Sequence, residues 1–344
     1  MTRIMKKITI KDVAREAGVS VTLVSFVMNA KVGEDGRLDC PVNPETAARV
    51  LEVAKRLGYR RNAAAASLRS GRSNTIAVIT TDIANNYFAG ISRYIEDKSA
   101  QYGYTVLFCS SDENAEKLAS VIDTVLAYNI DGLIVAPVPG GQEAISKAID
   151  AHVPVVLLDR DIEGLEDVGK VLLNDVEAGD MATECLISNG YRKIEMISYD
   201  LDISSISERA EGYRRTMAAH GLESHVNTTT YGDPQKLMPN IIKDALERGV
   251  EAFFLPTYSL TALAFGAMNE LNLSTPRDIG IVAFDESDLY RLGASTIAHI
   301  VQPLRELGEK SFEVLHAMIE NEPCERNIIL KPELVPGGSV IKKA

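Results

Sequence analysis

From Ile76 onward the chain alternates short apolar runs with helical stretches, and no other feature limits its possible folds as strongly. The runs are "TIAVIT", "YTVLF", "DGLIVA" and "VPVVLLD", then "KIEMIS", "EAFFLP" and "IGIVAF". Apolar runs this short, separated by amphipathic helices, form the strands of parallel sheets buried in α/β layers. The region is too long for one sheet, so two lobes with a cleft between them are expected. Ligands of such sheets bind beyond the carboxyl ends of the strands. That rule directs attention to the polar residues that end three of the runs: Asp82, Asp159 and Asp285.

The first 73 residues have a different character. They hold fourteen Lys and Arg against seven Asp and Glu, a charge of +7 in a chain whose total is −12. A small basic head on an acidic body points to a polyanion that meets the head alone. Thr9 followed by Asp12 is a helix-start pattern, with Ile10, Val13, Ala14 and Ala17 on one face and Gly18 as the stop. Ser20 then caps a second helix, whose Val24, Val27 and Met28 can pack back on the first. Helix, glycine turn and capped helix make a helix-turn-helix pattern, in which the second helix enters the DNA major groove. Asn43-Pro44 starts a third helix, expected to turn Ala47, Val50, Leu51, Ala54 and Leu57 inward and to end at Gly58. The following "YRRNAAAASLRSGRSN" favours helix but is short, so it reads as a hinge that is helical only when supported.

Other classes find little support. No run of eighteen apolar residues exists, and the N-terminus has no apolar signal core, so a cytoplasmic protein without a membrane span is expected. The isolated Cys40, Cys109, Cys185 and Cys324 read as reduced, mostly buried thiols. "GLEDVGK" imitates a phosphate loop, but Val171 stands where Ser or Thr must hold magnesium. The five histidines have neither metal-ligand spacing nor a triad partner, and no cofactor motif is present.

In order and spacing, "TIKDVAREAGVSVTLVSFVMN", "PETAARVLEVAKRLGYRRN" and the hinge ending in Leu68 resemble the head of the LacI/GalR family of transcriptional regulators. The body resembles the family's periplasmic-binding-protein-like sensor through "TDIANNYFAGISRYIEDKSAQYGYTVLF", "SERAEGYRRTMAAHGL" and "STPRDIGIVAFDES". The resemblance implies a small all-α helix-turn-helix domain over residues 1–61, a hinge helix and linker over 62–74, and a two-lobed α/β effector-binding and dimerisation domain over 75–344. It places Val21, Thr22 and Leu23 toward bases, and Thr9, Ser20, Ser25 and Asn29 at contacts that set register. In the hinge it assigns Asn62 to DNA contact and Leu68 to a wedge between base pairs. In the body it assigns Tyr87, Phe88, Asp159, Arg209 and Asp285 to an effector pocket, where rings stack on a ligand face and charged groups fix hydroxyls.

Three departures from the family pattern stand out. Phe26 occupies a position that usually holds Arg; it can pack or touch a thymine methyl but cannot make a bidentate contact to guanine. The link "AKVGEDGRLDCPVN" is longer than the family pattern, with Gly33 and Gly36 suited to a tight turn. Tyr258 and Ser259 replace an Asn-Asp pair, which puts a phenol in the pocket in place of an amide.

The expected function is therefore a ligand-controlled transcription factor, a repressor that binds a palindromic DNA operator as a homodimer. Its effector would be a sugar, sugar phosphate or nucleobase. The competing readings are a small-molecule-binding protein or a sugar-metabolising enzyme, each without a DNA role. A solute-binding protein would carry a signal peptide and no basic head; an enzyme would need a catalytic constellation.

Overall fold

The structure, a computed structural model, describes residues 8–32, 38–59, 71–292 and 295–343. The described residues divide into two compact units between Ser73 and Asn74.

In the first unit, α1 (Ile10–Ala17) begins at Thr9, whose backbone N–H and hydroxyl both donate to Asp12 Oδ2, at 3.0 and 2.7 Å. It stops at Gly18, with φ of 66° in the left-handed region that glycine enters without strain. Ser20 Oγ accepts from Leu23 N and starts α2 (Val21–Asn29). Asn43 and Pro44 start α3 (Pro44–Leu57). Val13, Ala14 and Ala17 meet Val24 and Val27 of α2 and Ala47, Val50, Val53 and Ala54 of α3 in one small core. One expectation for α3 is corrected: Leu51 is exposed, and Val53 is buried in its place. Leu51 lies one residue, about 100° of helical rotation, past Val50, outside the stripe that faces α1. The long link forms a short antiparallel ribbon, β1 (Lys31–Val32) with β2 (Leu38–Asp39). The glycine turn expected at Gly33 and Gly36 and residues 62–70 of the hinge expected over 62–74 lie outside the described residues.

The second unit has two sheets. The first lobe contains β3 (Thr75–Thr80), α4 (Asn86–Gln101), β4 (Thr105–Ser110), α5 (Ala115–Ala127), β5 (Gly132–Val135), α6 (Gln142–Asp150), β6 (Val155–Leu158) and β7 (Gly169–Leu173). Next, α7 (Asp175–Ser188) leads into the second lobe. There follow β8 (Ile194–Tyr199), α8 (Ser204–Ala219), β9 (His225–Thr229), α9 (Pro234–Glu247), β10 (Ala252–Phe254), α10 (Tyr258–Glu270), β11 (Gly280–Phe284), α11 (Leu289–Leu292) and β12 (Ala298–Val301). The chain returns through α12 (Leu304–Glu320), which packs on β5, β6 and β7 of the first sheet. It ends with one strand on each sheet, β13 (Asn327–Leu330) and β14 (Glu333–Val335).

Strand order is β13-β7-β6-β5-β3-β4 in the first sheet and β14-β12-β11-β10-β8-β9 in the second. Every pairing is parallel except β12 with β14. The seven apolar runs each contain a strand, and β3, β5, β6 and β11 are buried along almost their whole length, as strands covered on both faces must be. The chain passes between the lobes near Asn174, Gln302 and Lys331. Two glycines set the closest helix approach: a Cβ at Gly179 of α7 would overlap the Arg209 carbonyl of α8, and one at Gly212 would overlap the Val176 carbonyl. The residues of the phosphate-loop look-alike instead lead into β7, where Lys170 pairs with Asp161 at 2.7 Å. The four cysteines are half-buried thiols, more open than expected. Among the described residues no helix is long and apolar enough to cross a membrane.

Candidate functional site

The ends of β3, β6, β8, β10 and β11 open on a cavity of about 610 Å³ between the lobes. The fold converges there all six body residues singled out in the sequence: Tyr87, Phe88, Asp159, Arg209, Tyr258 and Asp285. Asp159 and Asp285 occupy corresponding places, each directly after the strand that precedes it, with φ of 70° and 65°. Asp tolerates this left-handed conformation better than most residues, and here it turns the chain at the strand end that borders the cavity.

A hydrogen-bonded chain joins the lobes at the base of the cavity. The Tyr87 hydroxyl donates to Asp159 Oδ1 at 2.6 Å and lies 3.1 Å from Gln302 Oε1. Gln302 Nε2 donates to Asp285 Oδ1 at 2.7 Å, and Asp285 Oδ2 accepts from Tyr258 N at 3.0 Å. Burial, followed by the neighbouring Asp159 charge, pushes the Tyr87 phenol well above its usual range. Burial also raises the Asp285 carboxyl, against the opposing charge of Arg209 and the hydrogen bonds from Gln302 and Tyr258. Tyr87 and Phe88 meet edge to face at 5.0 Å and give the wall two adjoining aromatic surfaces.

Both guanidiniums of the cavity are clamped. Arg209 Nε donates to Asp175 Oδ1 at 2.6 Å and Nη1 donates to the Pro256 carbonyl at 2.7 Å, while the group lies 3.7 Å from the centre of the Phe284 ring. Burial pushes the Asp175 carboxyl up to about 7, opposed chiefly by Arg209. Arg160 makes a two-pronged contact with Glu113, both bonds 2.8 Å, and its Nε lies 3.3 Å from Asp159 Oδ2. Burial works against the Arg160 cation, but the Glu113 hydrogen bonds and the Asp159 and Glu113 charges outweigh it and raise its pKa. Tyr199 and Tyr231 pack edge to face at 5.3 Å on another wall.

The sequence did not disclose Glu113, Arg160, Asp175, Tyr199, Tyr231 or Gln302 as members of this network. Arg160 had a signal, because it follows Asp159 directly. Gln302 had a weak one, because His299 interrupts the apolar run of the strand before it.

In the first unit, Val21, Thr22 and Phe26 are exposed on α2, whereas Leu23 is half-buried against the small core. Ser25 and Asn29 meet each other: Asn29 Nδ2 donates to the Ser25 carbonyl at 2.6 Å and to its hydroxyl at 3.0 Å. Thr9 and Ser20 are exposed at the starts of α1 and α2. Asn62 and Leu68 lie outside the described residues. No group of three or more His, Cys, Asp or Glu suited to a metal ion occurs among the described residues.

Comparison with known proteins matches both units. Residues 9–62 match the model of bacterial regulatory proteins, lacI family, and residues 76–323 match the periplasmic binding protein domain. Catabolite control protein A of Priestia megaterium is 28% identical over 334 residues, covering 95% of this chain and 97% of that protein. The HTH-type transcriptional repressor PurR of Vibrio campbellii is 28% identical over 340 residues, covering 97% and 99%. A LacI family transcriptional regulator from Silicibacter pomeroyi superposes with a TM-score of 0.79 at 25% identity, over 97% of this chain and 99% of that one. The lac repressor dimer bound to operator and the anti-inducer ONPF superposes with a TM-score of 0.81 over 98% of this chain and 100% of that one; at 21% identity this bears on the fold alone. These relatives are transcriptional regulators, and a helix-turn-helix head joined to a two-sheet periplasmic-binding-protein body makes this chain a member of the LacI family.

Proposed function

We propose that this chain is a homodimeric transcriptional repressor whose affinity for a palindromic DNA operator is set by a small polar effector in the interlobe cavity. The observation that carries the reading is the joint placement of Asp159, Arg209 and Asp285, from three separate elements, beside the Tyr87 and Phe88 rings. Carboxylates and a guanidinium held by their neighbours are preorganised to bind hydroxyls or ring nitrogens, and the rings to cover an apolar face. A sugar, sugar phosphate or nucleobase fits that chemistry.

In this reading residues 1–61 form the DNA-binding head, 62–74 the hinge and 75–344 the sensor. Val21, Thr22 and Phe26 present the base-reading surface of α2, with Leu23 contributing its outer edge. Thr9, Ser20, Ser25 and Asn29 set register on the backbone, and Asn62 and Leu68 act from the hinge. The chain works in the cytoplasm and catalyses no reaction. Ligand binding changes the relative position of the lobes, and through the hinges of the two protomers it changes DNA affinity.

The test is a gel-shift or footprinting assay on intergenic DNA beside the gene, with and without ligands found by a thermal-shift screen. Specific protection of a palindrome that responds to one ligand supports the reading. Failure to bind any palindrome at low salt, with or without ligands, contradicts it.

A further inference from the structure

We propose that Glu113 sets the charge class of the effector, so that the cavity accepts an uncharged hydroxyl-bearing molecule and rejects its phosphate ester. This rests on the effector reading above and narrows it.

A protein cleft holds a phosphate with guanidinium groups or with the free amides of helix N-termini. Both means are largely taken up here by the protein's own acceptors. Four carboxylates, Asp82, Glu113, Asp159 and Asp285, face the cavity against two guanidiniums, Arg160 and Arg209. Arg209 is matched by the buried Asp175. Arg160 is matched by Glu113, and the side chains of that pair are only 11% and 5% exposed, so solvent does not screen it as it would a surface pair. The helix ends are similarly occupied. At the start of α4, Asn85 accepts from Tyr87 N; at the start of α10, Asp285 accepts from Tyr258 N and Thr257 from Leu260 N. α8 and α9 start there without a side-chain cap; Asp161, Glu163 and Asp202 line the recess beside α8, and α9 opens on Asp233 and Pro234, an acid and a residue with no N–H to offer.

Glu113 is the decisive member because of what it covers. It occupies both terminal nitrogens of Arg160, the fork that would otherwise clamp two phosphate oxygens. The loop after β4 carries it there through two successive left-handed residues, Asp112 and Glu113, each with φ of 52°. A phosphate entering this region would have to displace a buried carboxylate or lie against it, and two like charges at that range repel strongly.

The experiment measures dissociation constants of the full-length chain for matched pairs: ribose and ribose 5-phosphate, glucose and glucose 6-phosphate, fructose and fructose 6-phosphate. Inorganic phosphate serves as the minimal anion. The wild type is expected to bind the parent sugar of its preferred pair at least about tenfold more tightly than the ester, and to ignore inorganic phosphate. Glu113→Gln should reduce that ratio by about tenfold or more, and Glu113→Asp should keep it. Thermal unfolding of each variant checks that it is folded, and the wild-type ratio alone remains decisive if Glu113→Gln is not. An ester that binds the wild type more tightly than its parent sugar overturns the inference but leaves the effector reading standing. So does a ratio that Glu113→Gln leaves unchanged. If no polar small molecule, sugar or nucleobase, binds the chain, the effector reading fails and this inference falls with it.

Discussion

The carbonyl of Arg209 occupies the space that a side chain on Gly179 would need. This backbone contact between α7 and α8 brings the Arg209 guanidinium to Asp175, near the start of α7, and aims its remaining face at the cavity. Gly179→Ala should therefore force the two helices apart, lower the stability of the sensor by about 1–3 kcal/mol and weaken ligand binding. Chemical denaturation and ligand titration of the variant check both effects. Unchanged ligand affinity would mean that helix spacing does not position Arg209.

Arg209 and Asp175 are both almost fully buried, so above about pH 7, where the Asp175 carboxyl is ionised, removing one partner leaves an uncompensated charge. Arg209→Met should destabilise the sensor by about 3–5 kcal/mol, and a second change, Asp175→Leu, should restore much of the loss. Ligand affinity should stay low in the double variant, because Arg209 itself would be missing. A double variant no more stable than Arg209→Met would argue against the pair as the cause.

The same pair predicts a pH dependence. Burial raises the Asp175 carboxyl from an ordinary value of 3.8 to about 7, so between those values the folded state holds a proton that the unfolded chain has released. Its contribution to stability is full below 3.8 and is lost as the pH rises through about 7. Unfolding free energy measured from acid to neutral pH should thus fall more steeply in the wild type than in Asp175→Asn. Parallel slopes would remove Asp175 as the source.

On the head, Phe26 is 49% exposed on the outer face of α2. Its ring can meet a thymine methyl but offers no donor to guanine. Phe26→Arg should shift the preferred half-site toward guanine at one position, read by selection from randomised operators. Ser20→Ala should cost about 1 kcal/mol of head stability through loss of the cap on Leu23 N. An unchanged preference in Phe26→Arg would place α2 outside the groove. In the hinge, Leu68→Ala should weaken specific binding far more than non-specific binding; equal losses would refute its role as a wedge.

Much of this architecture is legible in the sequence because burial on both faces leaves a short, mostly apolar run, as in β3, β5, β6, β10 and β11. β8 keeps the run despite a buried Glu195, and the edge strand β4 keeps it although only half-buried. The remaining strands are less visible for physical reasons. In β9, "HVNTT" is an edge strand with partly wet faces, and in β12, "AHIV", His299 interrupts the apolar run. β13 and β14 are short edge strands whose assignment to different sheets depends on the last crossing between lobes. The cavity shows the same division. Asp159 and Asp285 are readable because each ends an apolar run, and Tyr87, Phe88 and Arg209 through the family resemblance. Glu113 meets Arg160 only after the loops behind two different strands converge, and Asp175 meets Arg209 only because glycines let two helices approach closely. Leu51 was misplaced because one residue of phase on a short helix separates the core from solvent.

The central claim is that occupancy of the cavity is coupled to DNA affinity. The most direct test measures the operator dissociation constant of the full-length chain with and without the ligand that stabilises it, in the wild type and in Asp285→Asn. The account predicts a change of about 5- to 150-fold in the wild type, with an equal effect of operator on ligand affinity, and a much smaller change in Asp285→Asn at the same ligand concentration. An operator affinity that ligand saturation leaves unaltered in the wild type would contradict it.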